Sequence, residues 1–165
     1  MPSMRSFAFC FIVAFFLFTS CESNKTNDSE VKLTPDEETT AKALVQGIFD
    51  DVWGGLDSTK ILNYHTEDFI ILENGEVWDN KRIKEYIRQA LKRENRSTRI
   101  NKIEYISIEK HGAAIQMAYH NMADFMQGDS LVGQAQWLES ATVIPTSEGL
   151  RLHQMHSTWV PMKEK

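Results

Sequence analysis

The sequence has very little cysteine: Cys10 and Cys21 only. Beyond residue 21 there is none, so the folded part has no disulfides, no cysteine nucleophile and no cysteine-rich zinc site. Core packing alone must hold it together. No apolar run reaches the ~20 residues that a membrane-spanning helix needs. Internal repeats, low-complexity tracts and a second linker are also missing. So is any recognised nucleic-acid-binding motif, and a formal net charge of −5 sets the chain against that class of partner.

What is present begins with an N-terminal targeting pattern. Arg5 precedes the apolar run "FAFCFIVAFFLF", and small polar residues follow before Cys21. This predicts a signal peptide over residues 1–20. The closing "LFTSC" resembles the bacterial lipobox, with Phe18 where leucine is usual. The resemblance implies that Cys21 is lipidated and becomes the first mature residue; a simple secretory signal is the alternative. Residues 21–33 are polar and read as a flexible tether, and a dozen extended residues reach roughly 40 Å. The expected location is the bacterial cell envelope, lipid-anchored, facing the periplasm or the cell surface.

Residues 34–162 carry the pattern of one domain. Thr34, Pro35 and Glu37 form a helix start with a capping box. Ala41, Leu44, Val45, Ile48, Phe49 and Val52 then repeat at helical spacing, and the helix should stop near Gly54-Gly55. Ser58 is the expected cap of a short second helix. "DFIILENGEVWD" reads as two strands around an Asn74-Gly75 turn. Asp79 can cap a third helix with Ile83, Ile87, Ala90 and Leu91 inward. Four strand-like segments follow from Ser97 onward. Helices first and antiparallel strands afterwards predict an α+β fold.

The last segment, "LRLHQMHSTWV", contains His153-x-x-His156. In a strand, residues three apart point to opposite faces, so the two histidines do not converge on one ion. Alternation puts Leu150, Leu152, Gln154, His156 and Thr158 on one face. Arg151, His153, Met155, Ser157 and Trp159 take the other. The pattern calls for neither metal nor cofactor.

The block "NYHTEDFIILENGEVWDNKRIKEYI", the long first helix, "WLESATVI" and "LRLHQMHST" together resemble the nuclear transport factor 2-like superfamily. This group includes ketosteroid isomerase and the SnoaL-type polyketide cyclases. The resemblance covers nearly all of residues 35–160. It implies a cone-shaped, curved antiparallel sheet wrapped around three N-terminal helices, with a pocket inside the cone. Combined with strand parity, it puts Gln154, His156, Thr158, Tyr119, Asn121, Trp137 and Glu139 on the inner face. Tyr64, Asp68 and Trp78 fall near the cone's mouth.

The expected function is binding of a small apolar or amphipathic molecule in the envelope. An isomerase or cyclase of this group would instead use a pocket carboxylate, Asp68 or Glu139, with Tyr64, Tyr119 or His156 as donor. Each residue also has a plainer role: a turn or cap for Asp68, an ion pair for Glu139, a hydrogen-bonded core position for His156. The third alternative is a dimeric assembly domain, with a homodimer formed through the sheet. Met155, Trp159 and other methionines are expected to make an apolar patch on its convex side. Residues 81–102 hold nine basic side chains against Glu85 and Glu94. Lys84, Arg88 and Lys92 form one stripe, which is either a solvated helix face or a contact for anionic headgroups.

Overall fold

Thr34 opens the first helix as its capping residues dictate. In the computed structural model, which describes residues 32–162, the Thr34 amide donates to Glu37 Oε2 at 3.0 Å and the Glu37 amide donates to Thr34 Oγ1 at 3.2 Å. The signal peptide, Cys21 and the tether up to residue 31 lie outside the described residues. Helix α1 spans Pro35–Gly47 and widens into a π-helical segment over Ile48–Gly54. The wider turns keep Phe49, Val52 and Trp53 aimed at the sheet, and the apolar stripe Ala41, Leu44, Val45, Ile48, Phe49 and Val52 is buried along its whole length. Each such side chain stabilises the fold by about 1.5–3 kcal/mol.

A short 3-10 turn at Ser58–Lys60 leads into α2, Ile61–Tyr64. Its cap is Asp57 rather than Ser58, because the Asp57 carboxylate reaches the Thr59 amide at 3.0 Å. Strands β1 (His65–Glu73) and β2 (Glu76–Asp79) pair across Asn74 and Gly75, both at positive φ. That is the turn geometry an Asn-Gly pair favours. Asp79 caps α3, Asn80–Ala90, by accepting from the Arg82 amide at 2.7 Å. Ile83, Ile87 and Ala90 face inward, whereas Leu91 follows the helix and is half exposed.

The remaining chain is a meander of long strands: β3 Thr98–His111, β4 Ala114–Gln127, β5 Ser130–Thr146 and β6 Gly149–Val160. The sheet order is β2-β1-β6-β5-β4-β3. The fold is α+β with a six-stranded curved sheet, as expected, but the sheet is not wholly antiparallel. β6 returns beside β1 in the same direction, because α3 and the meander separate the two in sequence.

A bulge decides the polarity of β6. Val143 pairs with Leu152 and Thr142 with Gln154, so His153 is the extra residue. An inserted residue sends every later side chain to the opposite face. Leu152 is buried as alternation predicts, but beyond the bulge Met155 and Ser157 turn inward while Gln154, His156 and Thr158 are exposed. Met155 belongs to the core, and so does Met117; neither is on the convex face.

Candidate functional site

The inner faces of β3, β4 and β5 keep strict alternation near the centre of the sheet. Arg99, Asn101 and Ile103 sit opposite Phe125, Ala123 and Asn121, and Asn121 and Tyr119 pair with Trp137 and Glu139. Across the next strand Glu139 pairs with Ser157, which in turn lies beside Glu73 of β1. Side chains from β1, β3, β4, β5 and β6 therefore meet under the π-helical segment and α3.

They enclose a cavity of about 250 Å³ lined by Phe49, Trp53, Trp78, Tyr86 and Trp137, with Ile71 at its apolar base. Glu73, Arg99, Glu139 and Ser157 are its polar groups, joined at one side by Asn74. The aromatic wall is continuous: the Tyr86 ring lies 5.8 Å from Trp53 and 5.4 Å from Trp78. Gly54 brings the helical segment down onto β3. A Cβ at that position would stand 2.8 Å from the Arg99 carbonyl oxygen.

Glu139 is the buried acid of the site, 5% exposed. Ser157 Oγ donates to its Oε1 at 3.0 Å and Asn121 Nδ2 to its Oε2 at 3.1 Å. Asn101 Nδ2 in turn donates to Asn121 Oδ1 at 2.6 Å, fixing the amide so that its NH₂ faces the carboxyl. Burial pushes Glu139 up to about 7, against the opposing pull of Ser157, Asn121 and the Arg99 charge. The group is therefore close to half protonated at neutral pH, able to give or take a proton. Glu73 is also raised by burial. The Arg99 guanidinium lies 4.7 Å from the Trp137 ring and 5.7 Å from Phe49.

Of the residues singled out in the sequence, Trp78, Trp137 and Glu139 line this cavity. Tyr119 and Asn121 are buried beneath it. Burial and the neighbouring Glu139 hold the Tyr119 phenol well above its usual range, and its hydroxyl closes no hydrogen bond. The others are elsewhere. Tyr64 donates its hydroxyl to Asp51, which also receives Lys60, so its polar end is spent on the helical layer. Asp68 is exposed on the outside of β1, 3.4 Å from His153 and away from the cavity. Gln154, His156 and Thr158 stand on the convex face through the bulge at His153. His156 Nε2 has Thr158 Oγ1 at 3.5 Å as its neighbour.

Sequence reasoning missed Phe49 as a pocket wall, and Trp53, Glu73, Tyr86, Arg99 and Ser157 altogether. Glu73 continues the alternation Phe69, Ile71, Glu73, so its inward position was readable. Trp53 lies four residues after Phe49, and Tyr86 three after Ile83, each beside an apolar helix face. Arg99 shares parity with Ile103 and Tyr105 but was counted only within the basic run. Nothing local identified Ser157.

No protein-family model matches the sequence, and no curated protein matches it either. Solved structures do. The CamKII hub homology domain of Chlamydomonas reinhardtii superposes with a TM-score of 0.65 at 14% identity, covering 75% of this chain and 98% of that one. A nuclear transport factor 2-like protein from Cytophaga hutchinsonii gives 0.59 at 7% identity, covering 78% and 100%. The fold is nuclear transport factor 2-like. A ketosteroid isomerase-like protein from Erwinia carotovora atroseptica shares it, with a TM-score of 0.58 at 10% identity and coverage of 78% and 100%. Nuclear transport factor 2-like folds thus occur here among both enzyme-like proteins and hub domains, and the cavity described above occupies the inside of the cone.

Proposed function

We propose that this protein is an envelope lipoprotein, anchored through Cys21, whose cone binds a small amphipathic molecule. The observation that carries the reading is a buried acid, Glu139, set in a cavity walled by Phe49, Trp53, Trp78, Tyr86 and Trp137. Such a site rewards a planar apolar body and selects for one that offers Glu139 a hydrogen-bonding group. Native mass spectrometry of the full chain purified from its own host tests it. A bound small molecule that is lost on Trp137→Ala supports the reading; an unliganded chain in both forms counts against it. The same spectrum reports the lipid mass on Cys21.

A second reading is favoured by the position of Glu139 near pH 7, which suits a group that moves a proton between two positions of one ligand. The ketosteroid isomerase-like neighbour lends it support at the level of fold. Deuterium entering the co-purified molecule in D₂O, with loss of that exchange in Glu139→Gln, is the expected result. Unchanged exchange in the variant removes it.

For partners, the convex face favours a homodimer, since Met122 is 37% and Leu138 44% exposed there, paired across the strands with Lys102, Gln136, His120 and Thr158. The hub-domain neighbour is consistent with that use of the fold. Sedimentation of the wild type as a dimer and of Leu138→Lys as a monomer would support it, and a monomeric wild type would end it.

A further inference from the structure

A second hollow of about 370 Å³ opens beside the aromatic cavity and shares Trp53, Tyr86, Arg99 and Trp137 with it. Arg93, Arg96 and Glu94 border its outer part. Asn95 sits between them at a φ of 54°, a bend that asparagine tolerates well, and this brings both arginines to the same hollow. Among the described residues, no carboxylate closes an ion pair with Arg93, Arg96 or Arg99. Arg99 is the most buried of the three: its Nε is buried with no hydrogen-bond partner, and its Cζ lies 4.7 Å from the Trp137 ring and 5.7 Å from the Phe49 ring.

A partly buried guanidinium whose Nε–H has no acceptor offers a donor to a ligand oxygen, and Glu139 and Glu73 act on its charge without closing an ion pair with it. Its fork matches the oxygens of a carboxylate or a phosphate. The second hollow carries Arg93, Arg96 and Arg99 against Glu94, a local charge of +2 in a chain of net charge −5, which favours an anion at its opening, while Glu73 and Glu139 line the adjoining aromatic cavity. We infer that the two hollows form one site for an amphipathic anion. Its aromatic or polycyclic body lies among Trp53, Trp78, Tyr86 and Trp137, its anionic oxygen head rests on Arg99, and Arg93 and Arg96 guard the entrance. The inference rests on the cavity being a ligand site and adds the chemical class of the ligand.

Isothermal titration of the full chain with 2-naphthoate, 2-naphthyl phosphate and methyl 2-naphthoate tests it. At least one anion should bind about tenfold or more tightly than the neutral ester, and the better of the two identifies the head group. The exposed pair Arg93→Gln with Arg96→Gln should weaken the anion several-fold, leave the ester unchanged and melt as the wild type does. Arg99→Met should erase the preference. Equal binding of ester and anions, or a double variant that weakens all three probes alike, overturns the anion site while leaving the cavity as a ligand site. Failure of all three probes to bind overturns both.

Discussion

Asn121, buried beneath the aromatic cavity, donates at 3.1 Å to Glu139, the buried acid that lines it from the neighbouring strand. The amide cannot turn round, because its oxygen is already taken by Asn101. A neutral donor thus supports a carboxyl that burial disfavours as an anion. Replacing Asn121 by alanine removes one hydrogen bond on each side and leaves Asn101 and Glu139 short of a partner. The expected cost is about 2–4 kcal/mol in urea unfolding, with Glu139 titrating at a still higher pH.

Glu139 makes stability depend on pH in a definite direction. Its folded value, about 7, lies above the ordinary 4.5, so the folded state holds the proton more tightly. The associated stability is complete below pH 4.5 and is lost as pH rises through 7. The gap corresponds to about 3 kcal/mol. Ser157, Asn121 and Arg99 favour the charged form, while Glu73 opposes it. Glu139→Gln is expected to lose this slope, so that the difference in stability between variant and wild type grows in the variant's favour from pH 5 to pH 8. Parallel melting curves at each pH would contradict the assignment.

His65 should act on the acid side. Asn80 gives its amide hydrogens to the Thr66 and Glu67 carbonyls, so its Oδ1 accepts from His65 Nδ1–H. Nε2 is then a buried acceptor without a partner. Burial lowers the imidazole to about 4 from 6.5, meaning that the unfolded chain takes up the proton first. Stability is therefore present above pH 6.5 and falls as pH drops toward 4, opposing the Glu139 slope over the shared range. His65→Gln should be less stable at pH 7 and should lose about 2 kcal/mol less than the wild type between pH 7 and pH 5. Denaturant titrations at the two pH values decide it.

Gly54→Ala is expected to destabilise the protein, although alanine normally improves a helical position. The new methyl group would stand 2.8 Å from the Arg99 carbonyl oxygen, which yields only if the helical segment lifts off β3, and 3.0 Å from the Phe49 carbonyl oxygen within that same segment, which yields only if its turn distorts. A loss of about 1–3 kcal/mol follows. Because the same contact sets Arg99 under Trp137, the variant should also weaken binding of the naphthyl anions. A neutral or raised melting temperature would show that the layer has room.

Much of the architecture is local chemistry and was legible as such. The Thr34–Glu37 capping box, the Asn74-Gly75 turn, the Asp79 cap and the helical stripe from Ala41 to Val52 each depend on residues within a few positions of one another. The inward positions of Tyr119 and Asn121 on β4 followed from strand alternation combined with the family resemblance. Trp137 and Glu139 were within reach in the same way, and Trp78 through the resemblance of its block to the cone's mouth.

Where the sequence fails, the cause is long-range. Alternation along "LRLHQMHSTWV" has a period of two, so the single extra residue at His153 inverts everything after it. That bulge exists only because β6 must pair with β5 on one side and β1 on the other. It exchanges His156 for Ser157 at the cavity. Arg99 looks like one charge in a basic run, and only the approach of the Gly54 turn and Trp137 makes it a partly buried cation whose charge acts on Glu139. The amino-acid sequence by itself determined the elements and most of their inward faces, since those rest on neighbours in the chain. The tertiary structure alone decided which charged groups share one cavity, because that depends on strand pairings between residues far apart in sequence.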